Sequence, residues 1–265
     1  MKNFLKSLAY LIVYFVIQIL IQMVFMLWGN LSGIQTENEL MQFSMNHLFF
    51  MTILSNIVTV ILFGFFIIKI QKKDIKKELS FVPATIKTYI LPSISIFLLS
   101  FAWSFATYDL SFTNSEQMQA SVLFYSNIFP HFGIIMMALT LLIAQPIMEE
   151  VLCRGILLNQ LKINMPTWIA VLISSLLFGA IHLMAGGIWL VIGATLMGIC
   201  FGIVFVKTKS LYVAIVVHAF ANLPDFIMPY LPQLNLKTRI LLTLVFAIIS
   251  IIMIVLFYKK ETKQL

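Results

Sequence analysis

Glu149 and Glu150 stand side by side in the run Gln145-Pro146-Ile147-Met148-Glu149-Glu150-Val151-Leu152-Cys153-Arg154, within a stretch apolar enough to lie in lipid. A charge at the bilayer centre costs about 2.5 to 3.5 kcal/mol on insertion scales, so packing alone does not account for three ionisable groups kept this close together. Glu150 and Arg154 are at i and i+4, the spacing that brings two side chains together on one helix face. Glu149 points about 100° away and lacks that partner. The spacing predicts an ion pair between Glu150 and Arg154, with Glu149 left as a desolvated carboxylate suited to general-base work. Pro146 should kink the helix and free a carbonyl just before the doublet.

Two further apolar segments carry one histidine each. His182 closes Phe178-Gly179-Ala180-Ile181-His182, where the small residues let another helix or a substrate backbone come near. His218 and Asn222 are again at i and i+4. An imidazole and a carboxamide offer hydrogen-bond donors of the kind a developing oxyanion needs. His47 and His131 sit at the edges of apolar blocks without an acidic neighbour in sequence and are left unassigned. Cys153 and Cys200 both fall inside apolar segments and read as small hydrophobes, with neither a disulfide framework nor metal-site spacing.

What must position these groups is a membrane. Of 265 residues, 61% are hydrophobic and 10% charged, where a soluble domain carries about 25% charged; the mean hydropathy is +1.02. The net charge of +7 is scattered between apolar blocks, which fits membrane topology and not nucleic-acid binding. Eight apolar blocks can be counted, at about 8–28, 47–70, 88–108, 131–160, 166–185, 188–206, 211–229 and 239–258, most of them near the roughly 20 residues that cross the hydrocarbon. Unpaired amides are not tolerated in lipid, so the blocks should be helices. The fold expected is all-α and polytopic, with eight transmembrane helices in the cell membrane.

Lysine and arginine orient them. With the amino terminus inside, fourteen of the seventeen basic residues fall in inner segments, including Lys2, Lys6, the Lys69 to Lys87 cluster, Lys162, Lys207, Lys209 and the tail lysines. Both termini are then cytoplasmic. The segments 29–46 and 109–130 carry no basic residue and read as outer loops. The basic run from Lys72 to Lys77 reads as a solvated loop that sets topology, with anionic lipid head groups as its other partner. Ala194, Gly198 and Gly202 recur every four residues, the pattern of a close helix contact. No internal repeat is evident. The chain divides into helices 1 to 3 with their loops (1–130), a core of helices 4 to 7 (131–230), and a last helix with a basic tail (231–265), all in one membrane domain.

In order, Glu149-Glu150-x-x-x-Arg154, Phe178-x-x-x-His182 and His218-x-x-x-Asn222 resemble the three motifs of the CPBP intramembrane proteases, a family that includes type II CAAX prenyl endopeptidases, Abi proteins and bacteriocin-processing or immunity proteins. The likeness covers about a third of the chain. It implies that Glu149 activates the attacking water with His182 assisting, that Glu150 and Arg154 hold that carboxylate, and that His218 and Asn222 stabilise the oxyanion. The family has been described both as metal-independent glutamate proteases and as metalloproteases. The chain has no H-E-x-x-H, so the preferred reading requires no cofactor, and a His₂Glu zinc site from Glu149, His182 and His218 is the other. The expected substrate is a peptide or membrane-protein segment, lipidated or not, cleaved near the cytoplasmic face. The competing functions are a non-enzymatic bacteriocin-immunity or peptide-binding protein and a proton-coupled transporter.

Overall fold

The computed structural model describes residues 2–107, 115–228 and 231–262. Among them every regular element is helical: α1 (Lys2–Leu31), α2 (Glu37–Asn46), α3 (Leu48–Ile70), α4 (Ile75–Glu78), α5 (Ile86–Ala106), α6 (Ser115–Ile128), α7 (Phe132–Leu161), α8 (Thr167–Ile181), α9 (Leu183–Thr208), α10 (Leu211–Ala221), α11 (Pro224–Ile227) and α12 (Leu236–Thr262). Helices α1, α3, α5, α7, α9 and α12 are long and apolar enough to cross a membrane. Their outer faces carry bare hydrocarbon, with Leu31 81%, Ile61 63% and Leu241 60% exposed, which is stable only against lipid. The protein is therefore a multi-pass membrane protein.

Each of the eight expected blocks becomes helix, but two fall short of the expected span. Helix α8 has 15 residues and α10 has 11, about 22 and 16 Å at 1.5 Å per residue, against about 30 Å of hydrocarbon. These two helices carry the histidines. The expected outer loops also hold structure, since α2 and α6 occupy them. Thr36 caps α2, its hydroxyl accepting from the Glu39 amide at 3.3 Å and donating to the Glu39 carboxylate at 2.7 Å, a reciprocal cap of the Thr-x-x-Glu type.

Two compact units interleave along the chain, and they are cut differently from the sequential segments expected. The first comprises Met1–Asp74 and Thr113–Met148. Within it Ser55 of α3 donates to Gln18 of α1 at 2.9 Å, and Gln71 donates to the Tyr10 hydroxyl at 2.7 Å. His47 donates from Nδ1 to the Phe43 carbonyl at 2.8 Å and is ringed by Phe25, Trp28, Phe43 and Phe124. That environment makes it a packing residue.

The second unit comprises Ile75–Phe112 and Glu149–Leu265 and holds every motif residue. Helices α8 and α9 run antiparallel in tight contact because small residues face bulk at three levels. A Cβ on Gly179 would meet Thr195 Oγ1 at 1.9 Å, one on Gly198 would meet Ser175 Cβ at 3.2 Å, and one on Gly202 would meet Val171 Cγ1 at 2.9 Å. The small-residue stripe of α9 is thus a helix contact, as its spacing predicts. Ser100 of α5 donates to the Ala221 carbonyl at 2.6 Å, satisfying an acceptor at the end of α10 that the helix itself leaves open.

The segment after α4 ties the carboxylate helix to the His218 helix. Asn159 of α7 donates to the Glu78 carbonyl at 3.2 Å and the Ser80 hydroxyl at 3.2 Å, while the Leu211 amide of α10 donates to the Ser80 carbonyl at 2.9 Å. Leu79, 2% exposed, fills the space left by Gly155.

At the end of α9, Lys209 adopts φ 52°, a left-handed conformation that favours glycine. Burial first, and Lys209 second, pushes the Lys162 ammonium below lysine's ordinary pKa. A cationic group with a lowered native pKa destabilises the fold while it is charged in both states, and that penalty fades as pH rises through the native pKa. We therefore expect Lys209→Gly to stabilise the protein by about 1 kcal/mol at neutral pH by relieving strain and like-charge repulsion. Thermal denaturation in detergent at several pH values checks this: the gain should shrink towards about pH 10.

Candidate active site

Helix α7 presents the carboxylate doublet through an unusual backbone. Pro146 cannot donate to the ladder, and its ring needs room against the preceding turn. The chain meets this with a π-helical stretch, Leu139–Ala144, in which the Gln145 amide reaches back to the Thr140 carbonyl. A single α-helical stretch, Gln145–Glu150, follows, and then a second π segment, Val151–Leu158. Glu149 and Glu150 thus end the short α stretch between two widened ones. π-bulges are frequent at functional sites.

Arg154 is the hub. It is wholly buried, as is Glu150, and its Nη1 donates to Glu150 Oε1 at 2.9 Å. Nη2 donates to the Gly198 carbonyl of α9 at 2.8 Å. The guanidinium carbon lies 4.8 Å from the Phe178 ring centroid and 5.3 Å from that of Phe201, a favourable arrangement when desolvated. The expected Glu150–Arg154 pair is therefore present, with anchors on α8 and α9 that the spacing did not announce.

His218 bridges the doublet. Its Nδ1 donates to Glu150 Oε1 at 2.8 Å, and its Nε2 lies 3.5 Å from Glu149 Oε2. The first is a charge-assisted bond of good length; the second is too long for one and leaves the Glu149 and Nε2 faces open to a third group. His218 is 4% exposed and Glu149 6%, so both are sealed from bulk solvent. The ring stacks on Phe201 at 4.5 Å and 22°, and meets the edge of Phe178 at 5.6 Å and 86°.

His182 and Asn222 both stand at carboxyl-terminal caps, of α8 and α10. His182 Nδ1 donates to the Phe178 carbonyl at 2.8 Å, which fixes that nitrogen as the protonated one and leaves Nε2 for chemistry. Phe178 touches both imidazoles, its centroid 4.8 Å from His182 and 5.6 Å from His218. The Asn222 amide caps α10 by donating to the His218 and Ala219 carbonyls. Glu149, Glu150, Arg154 and His218 thus form one connected cluster. His182 adjoins it across a phenyl ring, and Asn222 follows His218 by one helical turn.

Gly198 and Phe201 were not anticipated as site residues. The stripe containing Gly198 announces a close contact but not a carbonyl for Arg154, and a phenylalanine in an apolar run carries no sequence signal at all. Cys153 is buried and Cys200 half-buried, and both are free thiols. Among the described residues, no three His, Cys, Asp or Glu side chains cluster as a metal would require. Glu149 and His218 converge, but His182 is not gathered with them, and His218 Nδ1 is committed to Glu150. This donor set does not fit a tetrahedral His₂Glu centre, and no step below is routed through a metal.

Residues 131–224 match the family described as Type II CAAX prenyl endopeptidase Rce1-like. All six motif residues lie inside that stretch. The match supports a place for the chain in the CPBP family of CAAX-type intramembrane proteases, and in general terms an intramembrane endopeptidase activity. No curated protein and no solved structure matches the chain.

Removing the Glu150 charge should leave Arg154 buried without its counter-ion, a change that typically costs 3 to 5 kcal/mol. We expect Glu150→Gln to lower the thermal midpoint sharply and Glu149→Gln to lower it much less, since Arg154 bonds only the former. Parallel denaturation of the two variants in detergent reads the difference, and equal midpoints would contradict the hub role of Arg154.

Proposed function

We propose that the chain is an intramembrane endopeptidase in which Glu149 is the general base, with water as the nucleophile and no metal. The observation that carries this reading is the 3.5 Å approach of Glu149 Oε2 to His218 Nε2, with Arg154 and Nδ1 both bound to Glu150 on the other side. One carboxylate is consumed by structure. The other stands 3.5 Å from an imidazole nitrogen, longer than a good hydrogen bond, and so keeps lone pairs for a water bound beside that contact.

In this mechanism the scissile carbonyl enters beside the His218 Nε2 face. Glu149 takes a proton from water as its oxygen attacks the carbonyl carbon. The charge that develops on the carbonyl oxygen is met by the Asn222 carboxamide and by His218 as an imidazolium, whose Nδ1–H donates to Glu150 while its Nε2–H donates to the oxyanion. The carbon–nitrogen bond then breaks, and the proton held by Glu149 passes to the leaving nitrogen. His182 offers Nε2 from the far side of Phe178 and assists in orienting the water. Glu150 and Arg154 act through His218: a carboxylate on Nδ1 holds the orientation of the ring and balances the charge of its doubly protonated form.

The substrate read from the matched family is a peptide or protein tail carrying a lipid near its carboxyl terminus. Helices α8 and α10 are too short to cross the bilayer, so their carboxyl-terminal ends, with His182 and Asn222, fall inside the membrane, where such a tail would have to reach them. A binding or immunity protein of this fold would have no use for Glu149.

The test is peptide cleavage by the purified protein in lipid, with metal analysis of the same sample. Glu149→Ala should lower cleavage about a thousandfold, within the range for loss of a general base, while substrate affinity holds. Prenylated and unmodified peptides of one sequence should be compared, with faster turnover expected for the prenylated one. Undiminished cleavage by Glu149→Ala would end the assignment, and activity that tracks bound zinc would replace the metal-free mechanism.

A further inference from the structure

Helix α9 contains no residue of the three motifs, yet it supplies two of the contacts that hold the site. We infer that Phe201 is a positioning residue that, with the Gly198 carbonyl, sets the plane of the His218 ring and so keeps Nδ1 in line with Glu150.

The torsion that turns an imidazole about its bond to Cβ is soft and roughly two-fold. Turning the ring over would take Nδ1 off Glu150 and Nε2 away from Glu149. The single short bond to Glu150 at 2.8 Å constrains one nitrogen, while the 3.5 Å approach to Glu149 constrains the other weakly. What remains is the slot around the ring. Phe201 lies nearly parallel to it at 4.5 Å, 1% exposed itself, and Phe178 stands perpendicular to it at 5.6 Å, adjoining Phe201 at 6.2 Å. Ring pairs of this kind contribute beyond their buried area.

Phe201 also faces the guanidinium of Arg154 at 5.3 Å, so one phenyl ring contacts both groups that bind Glu150 Oε1. Gly198, three residues earlier and on the same face of α9, fixes the guanidinium from its other nitrogen at 2.8 Å. A side chain there would stand 3.1 Å from Phe178 Cδ1 and 3.3 Å from Arg154 Nη2. A methyl at 198 would therefore press on the cation and its aromatic neighbour by a few tenths of an ångström, through packing and not backbone conformation. One turn further along, Phe205 is equally buried but lies 5.3 Å from the Lys162 ammonium, away from the imidazole. It provides a control that differs only in position.

The kinetic consequence rests on the proteolytic reading given above; the geometric one does not. The experiment is nuclear magnetic resonance of the full-length protein in lipid nanodiscs with ¹⁵N-labelled histidine, alongside peptide cleavage. The native protein should show a downfield Nδ1–H proton for His218, assigned by its loss in His218→Asn. In Phe201→Leu that signal should broaden or vanish, and Gly198→Ala should weaken it, while Phe205→Leu leaves it in place.

In cleavage, Phe201→Leu should lower kcat by about 10- to 100-fold, the usual loss when a group that orients an active-site histidine is removed, with KM held within about twofold. Phe201→Tyr, which keeps the ring, should restore most of the rate. Should Phe201→Leu not fold, Phe201→Met preserves the side-chain volume without the ring and gives the same reading. A His218 signal and kcat unchanged in these variants would overturn the proposal. Should the native protein cleave no peptide while the signal behaves as expected, the positioning role stands and the proteolytic reading falls.

Discussion

A fully buried guanidinium in an apolar bundle has to be charge-balanced and hydrogen-bonded, or it costs several kcal/mol. Arg154 meets that demand at its two terminal nitrogens, with groups from three helices around it, while its Nε makes no hydrogen bond. Glu150 on its own helix neutralises it, the Gly198 carbonyl of α9 takes its second nitrogen, and Phe178 of α8 and Phe201 of α9 offer their ring faces. Satisfying one cation therefore sets the register of α7, α8 and α9 together. Glu150 then carries the constraint to α10, because the oxygen that holds Arg154 also holds His218. The arrangement of the reactive groups follows from the solvation of a single charge.

Two backbone devices shape the surroundings of this packing. The π segments on either side of Gln145–Glu150 let Pro146 sit inside a helix and aim the doublet inward. Helices α8 and α10 stop short, so that His182 and Asn222 fall at helix ends and not in mid-span. A helix end leaves carbonyls and amides without intrahelical partners. In lipid such an end is stable only where protein or water supplies the missing bonds. Ser100 does this for Ala221.

Much of this was legible in the residues. Eight apolar blocks, the Glu150–Arg154 pairing and the small-residue face of α9 all depend on helical periodicity, which is a local property. The lengths of α8 and α10 were not legible, because an apolar run continues past the point where the chain turns, and hydropathy does not mark that point. Helices α2 and α6 were hidden by low hydropathy, although Thr36-x-x-Glu39 carried a capping signal that could have exposed the first. The bond from His218 to Glu150 was not legible for a different reason. Grouping it with Asn222 used the i, i+4 rule within one helix, whereas its strongest bond is to Glu150, 68 residues away. Only tertiary structure relates those two. Phe201 is the extreme case: nothing distinguishes a phenylalanine that stacks on an imidazole from one that faces acyl chains.

The adjacency of the two glutamates is itself a physical requirement. Residues i and i+1 on a helix diverge by about 100°, so Glu150 can turn to Arg154 while Glu149 reaches past it to His218 Nε2. Three or four residues apart they would share a face, compete for the same guanidinium and be equivalent in kind. A helix that needs one carboxylate spent on structure and another left for chemistry at the same depth in the membrane has few ways to arrange them. Consecutive positions place both at one level, and the imidazole between them can then read them as different, binding the neutralised one through Nδ1 and presenting Nε2 to the other.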